Sequence, residues 1–195
     1  MAAARRVRAQ LDQQHRYAHT LRVARFAERL ARIHGHDPAC AREAGLFHDL
    51  ARLYSNDRLI RECEARRIPI DAFSRANPIV LHAPLGAELA RDFFGVEDEA
   101  VLSAIRKHTV GAAVMGPLDM ILYLADALEP GRDYPGRSGY ATLAERDLDT
   151  ALRAVLGSTL QYLRDRGLTV APDTLAAAHA FAVTIPEELS PARPR

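Results

Sequence analysis

The sequence predicts an all-α protein folded as a single-domain helical bundle, and three observations carry that prediction. Apolar residues recur with the helical period of about 3.6 residues from one end of the chain to the other. No stretch alternates with period two between hairpin turns. No internal repeat divides the chain, and 195 residues with 48% hydrophobic side chains suit one core, large enough to bury about two-thirds of the unfolded surface.

The elements follow in order. A short Arg-rich helix opens the chain. The first strong helix covers about residues 16 to 34, where His19, Val23, Phe26, Leu30 and Ile33 share one face, so His19 is expected to look inward. Gly35 stops it. Asp37-Pro38 supplies a cap and a first-turn proline for a second helix, expected to run to about Arg52 and to deliver His48 and Asp49. A third helix follows Ser55-Asn56. A fourth covers about Pro78 to Phe94, distorted or restarted near Pro84 and Gly86 just after His82, and Gly95 ends it.

The next helix opens near Asp98, aligns Val101, Ile105 and His108, and is left at Thr109-Val110-Gly111. Pro117 begins a helix so apolar, through Leu128, that Asp126 within it is expected to be at least partly buried. Glu129-Pro130-Gly131 closes it. A loop from Arg132 to Gly139 precedes helices at about 149–166 and 172–183 and a proline-bearing tail. The domain is therefore placed at 1–190, with a chemical core at about 15–135, C-terminal helices at 149–183 and a tail at 184–195.

Composition limits the function classes. Lys and Arg total 26 against 25 Asp and Glu, a net charge of +1, so nothing favours a stable nucleic-acid partner or an acidic membrane surface. Lys107 is the only lysine, a bias that reads as codon usage. Cys40 and Cys63 have no zinc-like spacing. With no signal peptide and no bilayer-spanning apolar run in the sequence, the expected compartment is the cytoplasm. The apolar stretch Leu175 to Val183 is expected to pack on the core or on a second copy of the chain, which makes a homodimer a candidate assembly.

The chemistry concentrates around His48-Asp49. His19 lies upstream and His82, His108 and Asp126 downstream, each on or beside an apolar helical stripe where an unpaired polar group is costly. Adjacent helical residues differ by about 100° around the axis, so His48 and Asp49 reach one cavity from its edge. Ala41, Ala44 and Gly45 on the same side let other helices, or metal, come close. Imidazole with carboxylate suits iron, manganese, zinc or cobalt better than calcium. Four ligands, His19, His48, Asp49 and Asp126, leave open positions on an octahedral ion, where a water can be acidified and a phosphoryl oxygen polarised. Two ions fit if His82 and His108 also bind. Each residue alone fits a hydrogen-bonded core residue or a helix end; their joint occurrence points to metal. His15, His34, His36 and His179 are read as structural or exposed.

His19, His48-Asp49 and Asp126, in that order on successive helices, resemble the H…HD…D pattern of the HD-domain metal-dependent phosphohydrolases. The segments around residues 16–20, 44–49, 82–87, 104–111 and 125–132 are similar to one branch, the YqeK-like symmetrical bis(5'-nucleosyl)-tetraphosphatases. That resemblance implies an all-α enzyme that uses iron, one ion or two, with manganese or another transition metal as alternative, and splits diadenosine tetraphosphate into two ADP by attack of metal-activated water.

It further implies metal ligation by His19, His48, Asp49 and Asp126. Asp49, His82 and His108 are the catalytic candidates: Asp49 bridges metal, and His82 and His108 bind a second ion, touch phosphate or act as general acid. Arg16, Arg52, Thr109 and Arg132 join the two histidines in holding substrate. Helical spacing agrees, since Arg16 is three residues before His19 and Arg52 three after Asp49. Two departures stand out: Arg52 replaces a frequent Lys, and Val110 a frequent second Thr, which removes one hydroxyl. The same metal box would serve a nucleoside monophosphate, a cyclic dinucleotide or guanosine tetraphosphate, and without metal the chain would be a helical nucleotide-binding module.

Overall fold

The computed structural model describes residues 7–8 and 13–189, which are all-α, with no strand among them. The Arg-rich N-terminal helix falls largely outside them, as does the end of the tail. Helix α1 (Gln14–Ile33) turns His19, Val23, Phe26 and Leu30 into the core, but Ile33 is 45% exposed. Fourteen residues from His19 the stripe has drifted by about 40°, and the chain is already leaving the helix.

Helix α2 (Pro38–Phe47) starts as expected, Asp37 accepting from the Ala39 N–H. It ends five residues before Arg52. Residues 48–53 are turns in which the N–H groups of Leu50, Arg52 and Tyr54 bond carbonyls three residues back. The His48 ring accounts for the stop: its Nδ1 bonds the Gly45 carbonyl, which a continuing helix would have given to the Asp49 N–H. Helix α3 (Asn56–Ala65) is capped by the Ser55 hydroxyl, which accepts from the Arg58 N–H. A short α4 (Ala72–Ala76), capped by Asp71, was not anticipated.

The helix expected from Pro78 is a 3-10 turn (Pro78–Leu81) followed by α5 (His82–Phe94). The restart is at His82 itself; Pro84 sits in the first turn, where its missing N–H costs nothing. Gly95 ends α5 at φ 70. Helices α6 (Glu99–Lys107) and α7 (Pro117–Leu128) match their predicted starts at Asp98 and Pro117. The predicted loop is shortened by α8 (Arg137–Ala144), and α9 (Leu148–Asp165) and α10 (Pro172–Ala180) follow.

Helix α1 lies against α2 and α7, and α6 packs between α5 and α7. Small residues set the α1–α2 approach: a Cβ built on Gly45 would lie 2.5 Å from the Ala24 Cα. Helix α10 packs on the core, burying Ala177 and Ala178, and the Thr174 hydroxyl donates to the Val110 carbonyl. No helix among the described residues is long and apolar enough to cross a membrane.

Candidate metal centre

Three of the four clustered histidines stand at helix ends and are built alike. His48, His82 and His108 each direct Nδ1 at the backbone carbonyl three residues earlier, that of Gly45, Ile79 and Ile105. A carbonyl only accepts, so each Nδ1 carries a proton, and Nε2, facing the interior, is the atom that offers a lone pair whenever the ring is neutral. His19 reaches the same state from mid-helix, its Nδ1 lying 3.0 Å from Glu129 Oε1.

The four Nε2 atoms and two carboxylates converge. His19 Nε2 is 3.1 Å from Asp126 Oδ1 and 3.8 Å from Asp49 Oδ2, and His48 Nε2 is 3.4 Å from Asp49 Oδ2. His82 Nε2 stands 3.4 Å from Asp49 Oδ1 and 3.2 Å from His108 Nε2. Ligand atoms of His19, His48 and Asp126 lie within 4.8 Å of one another, as do those of His48, Asp49 and His108. The two sets share His48. All four histidines and Asp49 are buried, yet His19 Nε2 and His48 Nε2 have no hydrogen-bond partner. Buried ring nitrogens without a partner are costly unless something binds them. Convergent neutral imidazoles and carboxylates fit a borderline transition metal, and the overlapping sets fit one ion or two.

The electrostatics of the cluster point the same way. Burial lowers the pKa of His82, and burial with the neighbouring His48 and His82 pushes His108 down to about 3. Both are neutral at pH 7. Burial opposes a charge on His48 too, but the Asp49 carboxylate outweighs it and raises the pKa to about 9. Asp49 and Asp126 stay ionised well below the usual carboxylate range: burial is overcome by His48 for Asp49, and by the adjacent His19 ring and His48 for Asp126.

Glu129 and Arg22 were missed in the sequence, where Glu129 served only to close a helix. The Glu129 carboxylate is 1% exposed and accepts from His19 Nδ1, from Arg22 Nε at 2.5 Å and Nη2 at 3.1 Å, and from the Gly131 N–H. Burial resists its charge, but the Arg22, His19 and Gly131 hydrogen bonds pull the pKa down to about 2. Such a partner fixes the tautomer and orientation of an imidazole ligand. A Cβ on Gly131 would strike the Arg22 guanidinium, so only glycine leaves that pair undisturbed. The one sequence signal was position, three residues after Asp126.

The loop after α7 closes over the helix end. The last four carbonyls of α7 would otherwise lack partners. The Glu129 N–H takes that of Ala125, Arg132 Nε that of Asp126, the Tyr134 hydroxyl that of Ala127, and Arg137 that of Leu128. Arg132 is thereby held over the cluster, with Nη2 2.6 Å from Asp126 Oδ1. Across the opening Arg16 Nη1 donates to Asp49 Oδ2 at 3.1 Å. Arg52 is half-buried beside them. Its pKa is lowered by burial and by the cations of Arg16 and Arg132, although Asp49 and Asp126 partly compensate.

Arg16, Arg52 and Arg132, with Ile79, His82, Thr109, Asp49 and Asp126, line a cleft of about 250 Å³. The Thr109 hydroxyl lies 3.0 Å from His108 Nε2 and 3.2 Å from His82 Nε2. Every residue singled out in the sequence as a ligand or phosphate contact is therefore in this cluster or on its rim. The expected effect of Ala44 and Gly45 is narrower than an opened cavity, since both are buried and Gly45 lies against Ala24 of α1.

The HD-domain family model matches residues 16–131. The symmetrical bis(5'-nucleosyl)-tetraphosphatase of Halalkalibacterium halodurans is 39% identical over 166 residues, covering 84% of this chain and 87% of that protein. The protein of the same name from Bacillus subtilis is 38% identical over 161 residues, covering 83% and 86%. A crystal structure from Clostridium acetobutylicum, described as a predicted HD superfamily hydrolase involved in NAD metabolism, superposes with a TM-score of 0.89 at 32% identity. It covers 93% of this chain and 95% of that one. With its helices, its H…HD…D cluster and these relatives in agreement, the chain belongs to the HD-domain family, in the branch of the symmetrical bis(5'-nucleosyl)-tetraphosphatases.

Proposed function

We propose that the protein is a metal-dependent hydrolase that cleaves diadenosine tetraphosphate, or a close dinucleoside analogue, at its central anhydride to give two nucleoside diphosphates. The observation that carries this reading is the joining of two overlapping His/Asp sets to a rim of three arginines. A pocket for a neutral or monoanionic ligand needs no such rim, whereas a polyphosphate chain spreads several negative charges over the length it spans.

His19, His48, Asp49, Asp126 and His108 are the residues suited to hold metal, with His82 beside them. Iron is the proposed ion, with manganese as substitute, and when bound it would polarise a phosphoryl oxygen and acidify water. Arg16, Arg52 and Arg132 offer charge and paired N–H donors to the phosphate oxygens as negative charge builds on them. Burial first, and then the neighbouring Arg16 and Arg132, lower the pKa of Arg52, and a polyanion bound here relieves both the desolvation and the crowding.

His82 and His108 are neutral, with their only protons committed to backbone carbonyls. They suit ligation or acceptance of a hydrogen bond better than proton donation. A nucleoside diphosphate leaves as a stable anion, so no general acid is required. Thr109 can donate to one of these rings or to a phosphate oxygen. The cytoplasm, where nucleotides are abundant, is the proposed compartment.

The deciding experiment is an anaerobic assay of iron-loaded and manganese-loaded protein against diadenosine tetraphosphate, a cyclic dinucleotide, a nucleoside monophosphate and guanosine tetraphosphate, with products separated chromatographically. ADP as sole product from diadenosine tetraphosphate is expected. AMP with ATP, or turnover of another panel member alone, would reject the reading.

A further inference from the structure

A symmetrical cut leaves a nucleoside two phosphates away on each side of the scissile bond, so a substrate seated on the arginines must place at least one nucleoside outside the metal cleft. A second cavity, of about 820 Å³, adjoins it, and Arg132 lines both. That volume is within the range of small-molecule sites and ample for a base with its ribose.

Its walls change character away from Arg132. Beyond the guanidinium come Tyr134, Ser158, Gln161, Tyr162 and Asp165. The far end is polar and mixed in charge, since the Asp165 carboxylate is paired with Arg164 at 2.8 Å, and it offers acceptors and donors to ribose hydroxyls and base edges. Tyr162 is 53% exposed and supplies an aromatic surface, with the Arg166 guanidinium 5.1 Å from its ring centroid. Base stacking on such a ring is a recurrent source of nucleotide affinity. Gln161 Nε2 donates to Asp165 Oδ1 at 3.0 Å, which sets the orientation of the two polar groups.

The entrance is rigid. Arg132 and Tyr134 are held by the final carbonyls of α7, so phosphate-binding and aromatic groups are placed before substrate arrives. Another cavity, of about 450 Å³, has Asp37, Asp98 and Asp119 in its lining and shares no residue with the metal cleft. It is unsuited to a polyanion.

We infer that the cavity between the α7–α8 loop and α9 is a nucleoside subsite, receiving one base and ribose of the substrate with Tyr162 as stacking platform and Arg132 as the hinge between phosphate and sugar. This inference rests on the proposed dinucleotide chemistry for its ligand class, but its test does not require turnover. Calorimetry on the manganese-loaded protein would compare ADP with inorganic tripolyphosphate, which has no nucleoside.

Tyr162→Ala is expected to weaken ADP about tenfold, Tyr162→Phe to stay within about twofold of the parent, and tripolyphosphate to bind all three alike. Ser158→Trp, which fills the cavity from α9, is expected to exclude ADP and spare tripolyphosphate. The subsite is overturned if Tyr162→Ala and Ser158→Trp bind ADP like the parent, or if both probes weaken in parallel. Failure of the parent protein to hydrolyse any dinucleoside polyphosphate would reject the proposed activity, while selective loss of ADP binding would still support the subsite.

Discussion

Glu129 holds His19 by its Nδ1, 3.0 Å away, although 110 positions separate the two residues in the chain. The contact turns the His19 lone pair toward Asp126 and Asp49, and Arg22 and the Gly131 N–H fix the carboxylate that makes it. Glu129 is thus a positioning residue, touching neither cleft nor substrate.

Replacing Glu129 with Gln keeps its volume and removes its charge. Metal affinity, measured by competition with a chromogenic chelator, is expected to fall by about 10- to 100-fold, the range typical of lost partners behind a metal-binding histidine. Unchanged affinity would show that His19 needs no such support.

The same carboxylate makes stability depend on acid. Its folded pKa, about 2, lies below its ordinary value of 4.5. Its contribution is therefore complete above about pH 4.5 and is lost as pH falls toward 2. Urea unfolding of the metal-free protein across this window is expected to give a steeper loss of stability for the parent than for Glu129→Gln. Parallel profiles would assign the acid sensitivity to other groups.

Metal uptake is expected to release a proton from His48. Asp49 raises its pKa to about 9 in the metal-free state, so at pH 7 the imidazole is charged, and only the neutral ring ligates metal. Calorimetric titration in buffers of different ionisation enthalpy is expected to show about one proton released at pH 7 and progressively less above pH 9. Asp49→Asn, which removes the cause of the raised pKa, is expected to reduce the release as well as the affinity.

Gly45→Ala tests the α1–α2 contact. Its Cβ would meet the Ala24 backbone at 2.5 Å, which no side-chain rotation relieves. A loss of about 1–3 kcal/mol of stability is expected from overpacking. The displacement of His48, which bonds the Gly45 carbonyl, should also weaken metal binding. A stable, metal-competent variant would mean that the helices separate without cost.

Helix boundaries were legible wherever a local device writes them. Asp37-Pro38, Ser55, Asp98, Pro117 and Gly95 mark ends that the structure keeps, because a cap or a left-handed turn depends on a few adjacent residues. Arg52 was misplaced on α2 because its stop is a side-chain choice, the His48 ring taking a carbonyl that the sequence pattern assigns to the helix. Short α4 and α8 carried too few periodic residues to be seen against Gly, Pro and charge.

The candidate ligands were legible too, since His and Asp on apolar stripes are conspicuous at any distance. By itself the sequence determined an all-α chain with His19, His48, Asp49, His82, His108 and Asp126 as its inward polar groups. Only the tertiary structure decided which nitrogen of each ring faces the centre, that Arg16 meets Asp49 and Arg132 meets Asp126, and that Glu129 is buried behind His19. The physical reason is separation: caps act over one turn of chain, whereas a charge is tolerated inside the protein only when partners 33, 107 or 110 residues distant arrive to satisfy it.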